Sequence, residues 1–130
     1  DGQLRYWSIC TNQGFANTRV NDCLFDEELP LDAQGFYTVM VSRPEDRPRN
    51  ATPECGIGWL PMAKDGDGTV DDDVTIVQIR HMLTAPDFPN SVQRVLKQAD
   101  LTSTMGPYMP QTRYMLPNQA ESFFPCLPKR

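Results

Sequence analysis

Residues 36–42, FYTVMVS, have strong β-strand character. Aromatic and β-branched residues are typical of a β-strand, in which successive side chains alternate between the two faces of a sheet. Residues 4–11 and 18–25 have the same character and are separated by the turn residues NQG at 12–14. We predict that residues 4–11 and 18–25 form paired strands and that residues 36–42 form a third strand.

Three stretches later in the chain also have strand character. GIGWLP, residues 56–61, predicts a short strand. VTIVQIRHM, residues 74–82, predicts a long strand near the middle of a sheet. In its first half, β-branched residues occupy both even and odd positions, so both faces of the strand are apolar. Residues 112–115 are a candidate for a last short strand.

Helical periodicity is confined to residues 90–101, where apolar residues recur at i, i+3, i+4 and i+7. The sequence therefore predicts a mainly β fold, an antiparallel β-sandwich or jelly-roll-like domain with one short α-helix near residues 90–101. We assign residues 1–116 to a single β-rich domain. Residues 117–130 form a Pro-rich C-terminal tail that is tied down by Cys126.

Size and charge exclude several classes of protein. The chain has 130 residues and a mass of 14.7 kDa, with 17 acidic and 12 basic residues and a net charge of -5. A nucleic-acid binder needs a concentrated positive surface, so nucleic acid is not an expected partner. Apolar runs are too short to span a membrane.

Because the first residue is Asp1, we expect a processed or partial chain.

Four cysteines indicate the compartment. Cys10, Cys23, Cys55 and Cys126 include no CxxC pair, which favours disulfides over a zinc site. Disulfides imply an oxidising, extracytoplasmic location (periplasm, cell envelope or secreted), and four buried free thiols in a cytosolic core are the alternative. Three connectivities are open. Cys10 with Cys23 is favoured because both lie in neighbouring strand-like runs, which leaves Cys55 for Cys126.

Several short motifs together resemble a known family. They are RYWSICT at 5–11, VNDC at 20–23, VSRPEDRP at 41–48 and WLP at 59–61. In this order they resemble the C-terminal β-rich domain of unknown function found in uncharacterised bacterial envelope or secreted proteins, over about residues 4–114. The resemblance implies a β-rich module that follows another such module in the same polypeptide. It supplies no activity, cofactor or catalytic set.

An acidic loop is the most ligand-like feature of the sequence. Asp65, Asp67, Asp71 and Asp73 alternate in a Gly-rich stretch, and alternate carboxylates are typical calcium ligands. The twelfth position, where an EF-hand has a bidentate glutamate, is Ile76. We predict a solvated loop and no cofactor, with calcium as the alternative.

Catalytic candidates are few. His81 is the one histidine, and Ser8, Ser42 and Ser91 are conceivable nucleophiles. No Gly-x-Ser-x-Gly elbow is present, and a histidine in a strand is more often a packed scaffold residue. The sequence favours a protein that is not an enzyme, and an enzyme is kept as the alternative.

Aromatic residues admit two interpretations. The set lies in the predicted strands and comprises Tyr6, Trp7, Phe36, Tyr37 and Trp59. Such rings normally fill the core between sheets, which is the favoured interpretation. On an exposed face they would instead stack against a sugar ring or an apolar ligand.

Arg43, Arg47 and Arg49 lie in a Pro-rich loop. Planar guanidinium groups suit bidentate pairing with the carboxylates of a partner subunit or a neighbouring domain. Pairing within the chain, with Glu45 and Asp46, is equally consistent with the sequence.

Methionines and prolines after residue 102 favour a protein that acts through its surface, because such irregular segments pack adaptably against partners. Tyr108, Met109 and Tyr114 are the expected contacts. We therefore expect a non-enzymatic extracytoplasmic β-domain, either a binding module or an accessory subunit of a larger assembly. Its partner is a protein or a neighbouring domain of the same precursor. The alternative is half of a hydrolytic or carbohydrate-active enzyme whose site a missing N-terminal domain completes.

Overall fold

A computed structural model of the chain describes residues 6–14, 17 and 19–126. The described residues contain five β-strands and two short α-helices, so the mainly β prediction is confirmed. The strands are β1 (Tyr6–Asn12), β2 (Val20–Phe25), β3 (Val39–Ser42), β4 (Gly58–Pro61) and β5 (Ile76–Met82). The helices are α1 (Leu101–Met105) and α2 (Pro117–Phe123). None of the helices in the described part of the chain has the length and apolar character that crossing a membrane requires.

The strands form two sheets. One has the order β2-β1-β5, and the other is the pair β3-β4. β1 and β2 are antiparallel, with Cys10 opposite Cys23, and their register shifts between Thr11 and Asn12. β3 and β4 are parallel, with Val41 opposite Leu60.

The parallel pair departs from the antiparallel prediction. Residues 43–57 connect β3 to β4, and this is long enough for the crossover that parallel neighbours need. The position predicted for β5 also differs, because β5 lies at an edge of the described sheet and β1 lies in its middle. A sandwich or jelly-roll arrangement of the sheets stays a prediction.

Helices are not where the periodicity placed them. Residues 90–101 contain two 3₁₀ turns, Val92–Arg94 and Gln98–Asp100, and α1 begins only at Leu101. Leu96 is 90% exposed, so the apolar stripe packs poorly, and packing of an apolar face provides most of a helix's stability. Residues 112–115, the candidate last strand, form no strand.

The second helix, α2, lies within the predicted tail. Pro117 stands at its first position, where a missing N–H costs nothing. The side chain of Gln119 accepts a hydrogen bond from the backbone N–H of Leu116 at 3.0 Å. This bond satisfies a backbone group at the start of the helix, which explains why the helix begins there.

Contacts divide the chain into two compact units. Of the described residues, the first unit comprises 6–7 and 80–114, with Phe88 and Met105 as its buried apolar residues. The second comprises the described residues of 8–79 together with 115–126. Its buried apolar residues come from several elements and are Leu29, Ala51, Ile57, Leu60 and Ala120.

Candidate functional site

Both predicted disulfides are present. Cys10 and Cys23 are joined directly across the antiparallel pair of β1 and β2. Cys55 and Cys126, 71 residues apart, join the loop before β4 to the chain that follows α2. This is the pairing that the sequence favours. The disulfides therefore hold one sheet together and attach the C-terminal segment to the second unit.

Arg43 holds the end of the acidic loop. Its Nη1 donates a hydrogen bond to Asp73 Oδ1 at 2.9 Å, and its Nη2 donates to the carbonyl oxygen of Asp72. Asp73 is mostly exposed, so this ion pair contributes little to stability by itself. Its effect is to fix where the loop rejoins the rest of the second unit.

Arg47 lies over the ring of Trp59, with 4.4 Å between its guanidinium carbon and the ring centroid. Its Nε and Nη2 both donate to the carbonyl oxygen of Ala51, at 2.9 and 2.6 Å. The indole Nε1 of Trp59 donates to Ser42 Oγ at 2.9 Å. A cation over an indole face is stabilising, so Arg47 closes the Pro-rich loop onto β4.

Arg49 binds α2. Its Nη2 donates to Glu121 Oε2 at 2.8 Å, and its backbone N–H donates to Glu121 Oε1 at 3.1 Å. These bonds from Arg49 hold the pKa of the Glu121 carboxyl below its ordinary value. The guanidinium groups of the three arginines thus pair with Asp73, the carbonyl oxygen of Ala51 and Glu121 rather than with the carboxylates of Glu45 and Asp46.

Asn50 makes a contact that no pattern in the sequence indicates. Its buried side-chain Nδ2 donates to the carbonyl oxygen of Ala120 at 3.2 Å and to that of Phe124. The carbonyl of Ala120 also accepts from the backbone N–H of Phe124 at 3.0 Å, so Asn50 adds a second hydrogen bond there, whereas the carbonyl of Phe124 lies just after the end of α2. A local sequence signal could not reveal this contact, because the partners lie 70 and 74 residues away.

The acidic loop is organised around Asp67. Its Oδ1 accepts hydrogen bonds from the backbone N–H groups of Thr69, Val70 and Asp71, at 2.8, 3.0 and 3.1 Å. Gly66 has φ +60, and a Cβ there would lie 2.2 Å from the carbonyl oxygen of Asp71. The loop is therefore a tightly folded turn rather than an open hairpin.

The four candidate calcium ligands have separate partners. Asp65 Oδ1 accepts from Gln13 Nε2 at 2.7 Å, Asp71 Oδ1 accepts from the backbone N–H of Asp73, and Asp73 pairs with Arg43. Across residues 6–14, 17 and 19–126, no three acidic, histidine or cysteine side chains are grouped in a way that could hold a metal ion. Calcium binding stays an untested alternative.

Asp67 makes the acidic loop sensitive to pH. Hydrogen bonds from the backbone of Thr69 and Asp71 hold the pKa of its carboxyl below the ordinary value of 3.8. A depressed pKa stabilises the folded loop above pH 4, and this contribution is lost as the pH falls through the folded-state pKa. We expect the NMR shift of the Asp67 carboxyl carbon to titrate with a midpoint below 3.8. A midpoint at or above 3.8, or one that stays the same after unfolding in urea, would contradict this description.

His81 is partly buried, and burial lowers the pKa of its imidazole. Its Nδ1 is buried and has no hydrogen-bond partner among the described residues. Ser42 Oγ, one of the conceivable nucleophiles, accepts from Trp59 and donates to the carbonyl oxygen of Arg43. Ser8 and Ser91 are buried. Among the described residues of the first compact unit, neither His81 Nδ1 nor Ser91 Oγ has a hydrogen-bond partner, so the two do not pair.

Tyr108, Met109 and Tyr114 belong to the first unit. The ring of Tyr108 meets that of Phe88 edge to face, with 5.0 Å between centroids, and is half exposed. Met109 is partly buried, whereas the side chain of Tyr114 is fully exposed. Residues 110–114 are all exposed and form neither helix nor strand.

The aromatic set is divided between burial and exposure. Tyr6 and Trp7 are partly buried, as is Trp59 beneath Arg47. Phe36 and Tyr37 are exposed, at 60% and 38%, in the loop before β3. The favoured interpretation, in which all five rings fill a core, therefore does not hold for these two.

Comparison of the chain with protein-family models, with curated proteins and with solved structures finds no match. The resemblance to a bacterial envelope domain therefore stays a prediction.

Proposed function

We propose that this chain is a non-enzymatic extracytoplasmic binding module or an accessory subunit of a larger assembly. The observation that carries the proposal is the full exposure of Tyr114 in a Pro-bounded segment, residues 110–117. Tyrosine buries a large area with few rotatable bonds, and for this reason it is enriched at protein interfaces. Tyr114 is thus suited to contact another protein.

The pairing of the arginines supports a structural rather than catalytic use of polar residues in the second unit. Arg43, Arg47 and Arg49 hold the chain's own loop and helix. We therefore assign the partner contact to Tyr108, Met109 and Tyr114 and give the arginines an architectural role. The two disulfides support an oxidising compartment, in which such bonds persist.

The alternative of half a hydrolytic enzyme gains no support from His81. Burial is the one cause of its lowered pKa, and no carboxylate contributes to it. A general base is usually oriented by a third group, and none of the described residues provides one. We keep the binding function as the conclusion.

Photo-crosslinking at Tyr114 tests the proposal. A photoreactive phenylalanine analogue is placed at position 114 in one variant and at Val70, which is 92% exposed in the acidic loop, in another. After irradiation in the source cells, we expect one discrete adduct with another polypeptide from position 114 and none from position 70.

Competition makes the result specific. A tenfold excess of the unlabelled chain is expected to abolish the adduct, whereas the same excess of the Tyr114→Ser chain is expected to leave most of it, because a central aromatic contact typically carries a tenfold or larger share of affinity. Equal adducts from both positions, or equal competition by Tyr114→Ser, would contradict the proposed contact.

A further inference from the structure

Residues 31–37, which we call the Phe36 loop, carry three large apolar side chains into solvent. Leu31 is 56% exposed, Phe36 60% and Tyr37 38%. Scattered exposed apolar residues are normal, but three within seven residues of one loop mark a candidate surface for contact with another molecule. The proposed contact at Tyr108, Met109 and Tyr114 does not use this loop.

Hydrogen bonds to Asp32 hold the Phe36 loop in one conformation. The backbone N–H of Asp32 donates to the carbonyl oxygen of Phe36 at 2.9 Å, and that of Gly35 donates to the carbonyl oxygen of Asp32 at 3.0 Å. Asp32 Oδ1 accepts from the backbone N–H groups of Gln34 and Phe36, both at 2.9 Å. Phe36 is therefore presented by a preformed turn, which reduces the entropy that binding has to overcome.

The base of the Phe36 loop is fixed to the second unit. Leu29 is buried, and its Cδ2 would lie 2.4 Å from a Cβ added at Gly58 in β4. Pro30 Cγ lies 3.9 Å from the corresponding position at Gly56. Leu29 thus anchors the start of the Phe36 loop against β4, whereas Pro30 is exposed.

The Phe36 loop and the five residues before it carry only acidic charges. Residues 26–37 contain Asp26, Glu27, Glu28 and Asp32 and no lysine, arginine or histidine. Glu27 and Glu28 are exposed. Anionic lipid headgroups would be repelled by these carboxylates, whereas a basic protein surface would be attracted. A second copy of this chain, with its net charge of -5, is also a poor electrostatic match.

We infer that the Phe36 loop docks into an apolar pocket of a different protein, whose rim carries lysine or arginine. An aromatic anchor in a pocket with a polar rim is the usual anatomy of a protein interface. The inference rests on the proposed function, since it requires that the chain acts by binding, but it concerns a second surface on the other compact unit.

The test places the photoreactive phenylalanine analogue at Phe36 in the full oxidised chain, with Leu96, which is 90% exposed, as the control position. Irradiation in the source cells is followed by mass spectrometric sequencing of the crosslinked peptide. We expect an adduct from position 36 alone, on a peptide of another protein in which apolar residues are flanked by lysine or arginine. Glu27→Lys is expected to lower its yield at least fivefold, and Asp87→Lys, an exposed charge reversal elsewhere, to leave it unchanged.

Three results would overturn the inference. They are an adduct with a second copy of this chain or with phospholipid, a crosslinked peptide without basic residues, and equal yields from the Glu27→Lys and Asp87→Lys chains. Failure of the proposed function has a different signature. If position 114 gives its adduct and position 36 gives none, the Phe36 loop alone is excluded. If neither position gives an adduct, the binding function itself fails.

Discussion

Replacing Cys55 and Cys126 together by serine is expected to lower the free energy of unfolding by about 4 kcal/mol. The reason is the length of chain that the disulfide closes, since its cysteines are 71 residues apart and a longer closed loop restricts the unfolded chain more. In the double variant the contacts of Arg49 and Asn50 and the burial of Ala120 still hold α2, but without the covalent link. Urea titration followed by tryptophan fluorescence measures the change.

The matched control is the double replacement of Cys10 and Cys23. These cysteines are 13 residues apart, and the same entropy argument gives about 3 kcal/mol. We therefore expect the loss of the Cys55–Cys126 disulfide to lower the free energy of unfolding more than the loss of the Cys10–Cys23 disulfide. A loss below 1 kcal/mol for the Cys55 and Cys126 variant, or a smaller loss than in the control, would show that the C-terminal segment is not held as described.

Phe88→Ala is expected to lower the free energy of unfolding of the first compact unit by about 3 to 5 kcal/mol. Phe88 is 2% exposed and is the largest of the fully buried side chains, so its removal leaves a cavity that a small unit cannot easily close. Its ring also supports Tyr108, one of the proposed partner contacts, through the edge-to-face pair at 5.0 Å. Hydrogen exchange of the amides between residues 86 and 109 measures the local loss of stability.

Phe36→Ala is the matched control for this substitution. It removes the same ring from a position that is 60% exposed, where truncation usually changes stability by less than about 0.5 kcal/mol. Exchange rates between residues 86 and 109 should then stay at their wild-type values. Equal effects of the two substitutions would contradict the assignment of Phe88 to a core.

Strand locations could largely be predicted from the sequence, because β-branched and aromatic residues mark them. The start of β3 could not. Residues 36–42 have strand composition throughout, yet β3 begins at Val39, because Asp32 bonds both backbone groups of Phe36 in a turn. An aspartate side chain that hydrogen-bonds to nearby backbone competes with strand formation, and here it prevails over the β-propensity of two aromatic residues.

The partners of the arginines in the Pro-rich loop could not be predicted from the sequence. Arginine in a loop predicts some carboxylate partner, and Glu45 and Asp46 are the nearest in sequence. The structure pairs Arg43 with a residue 30 positions away and Arg49 with one 72 positions away. Such choices depend on how the crossover between β3 and β4 folds back, which local periodicity does not encode.

The disulfide pairing could be predicted from the sequence for a physical reason. Two neighbouring strands joined by a short turn bring their cysteines face to face, and Cys10 is indeed opposite Cys23. Once that pair is made, only one partner is left for Cys55. Helix α2, whose end Asn50 caps, had no comparable signal beyond Pro117.

Native mass spectrometry of the chain isolated from its source shows directly whether it is bound to another protein. We expect a complex in which the chain, of 14.7 kDa, is associated with at least one other polypeptide and both disulfides remain formed. A lone chain that retains only a small molecule would contradict it and would return attention to an enzymatic or ligand-carrying role.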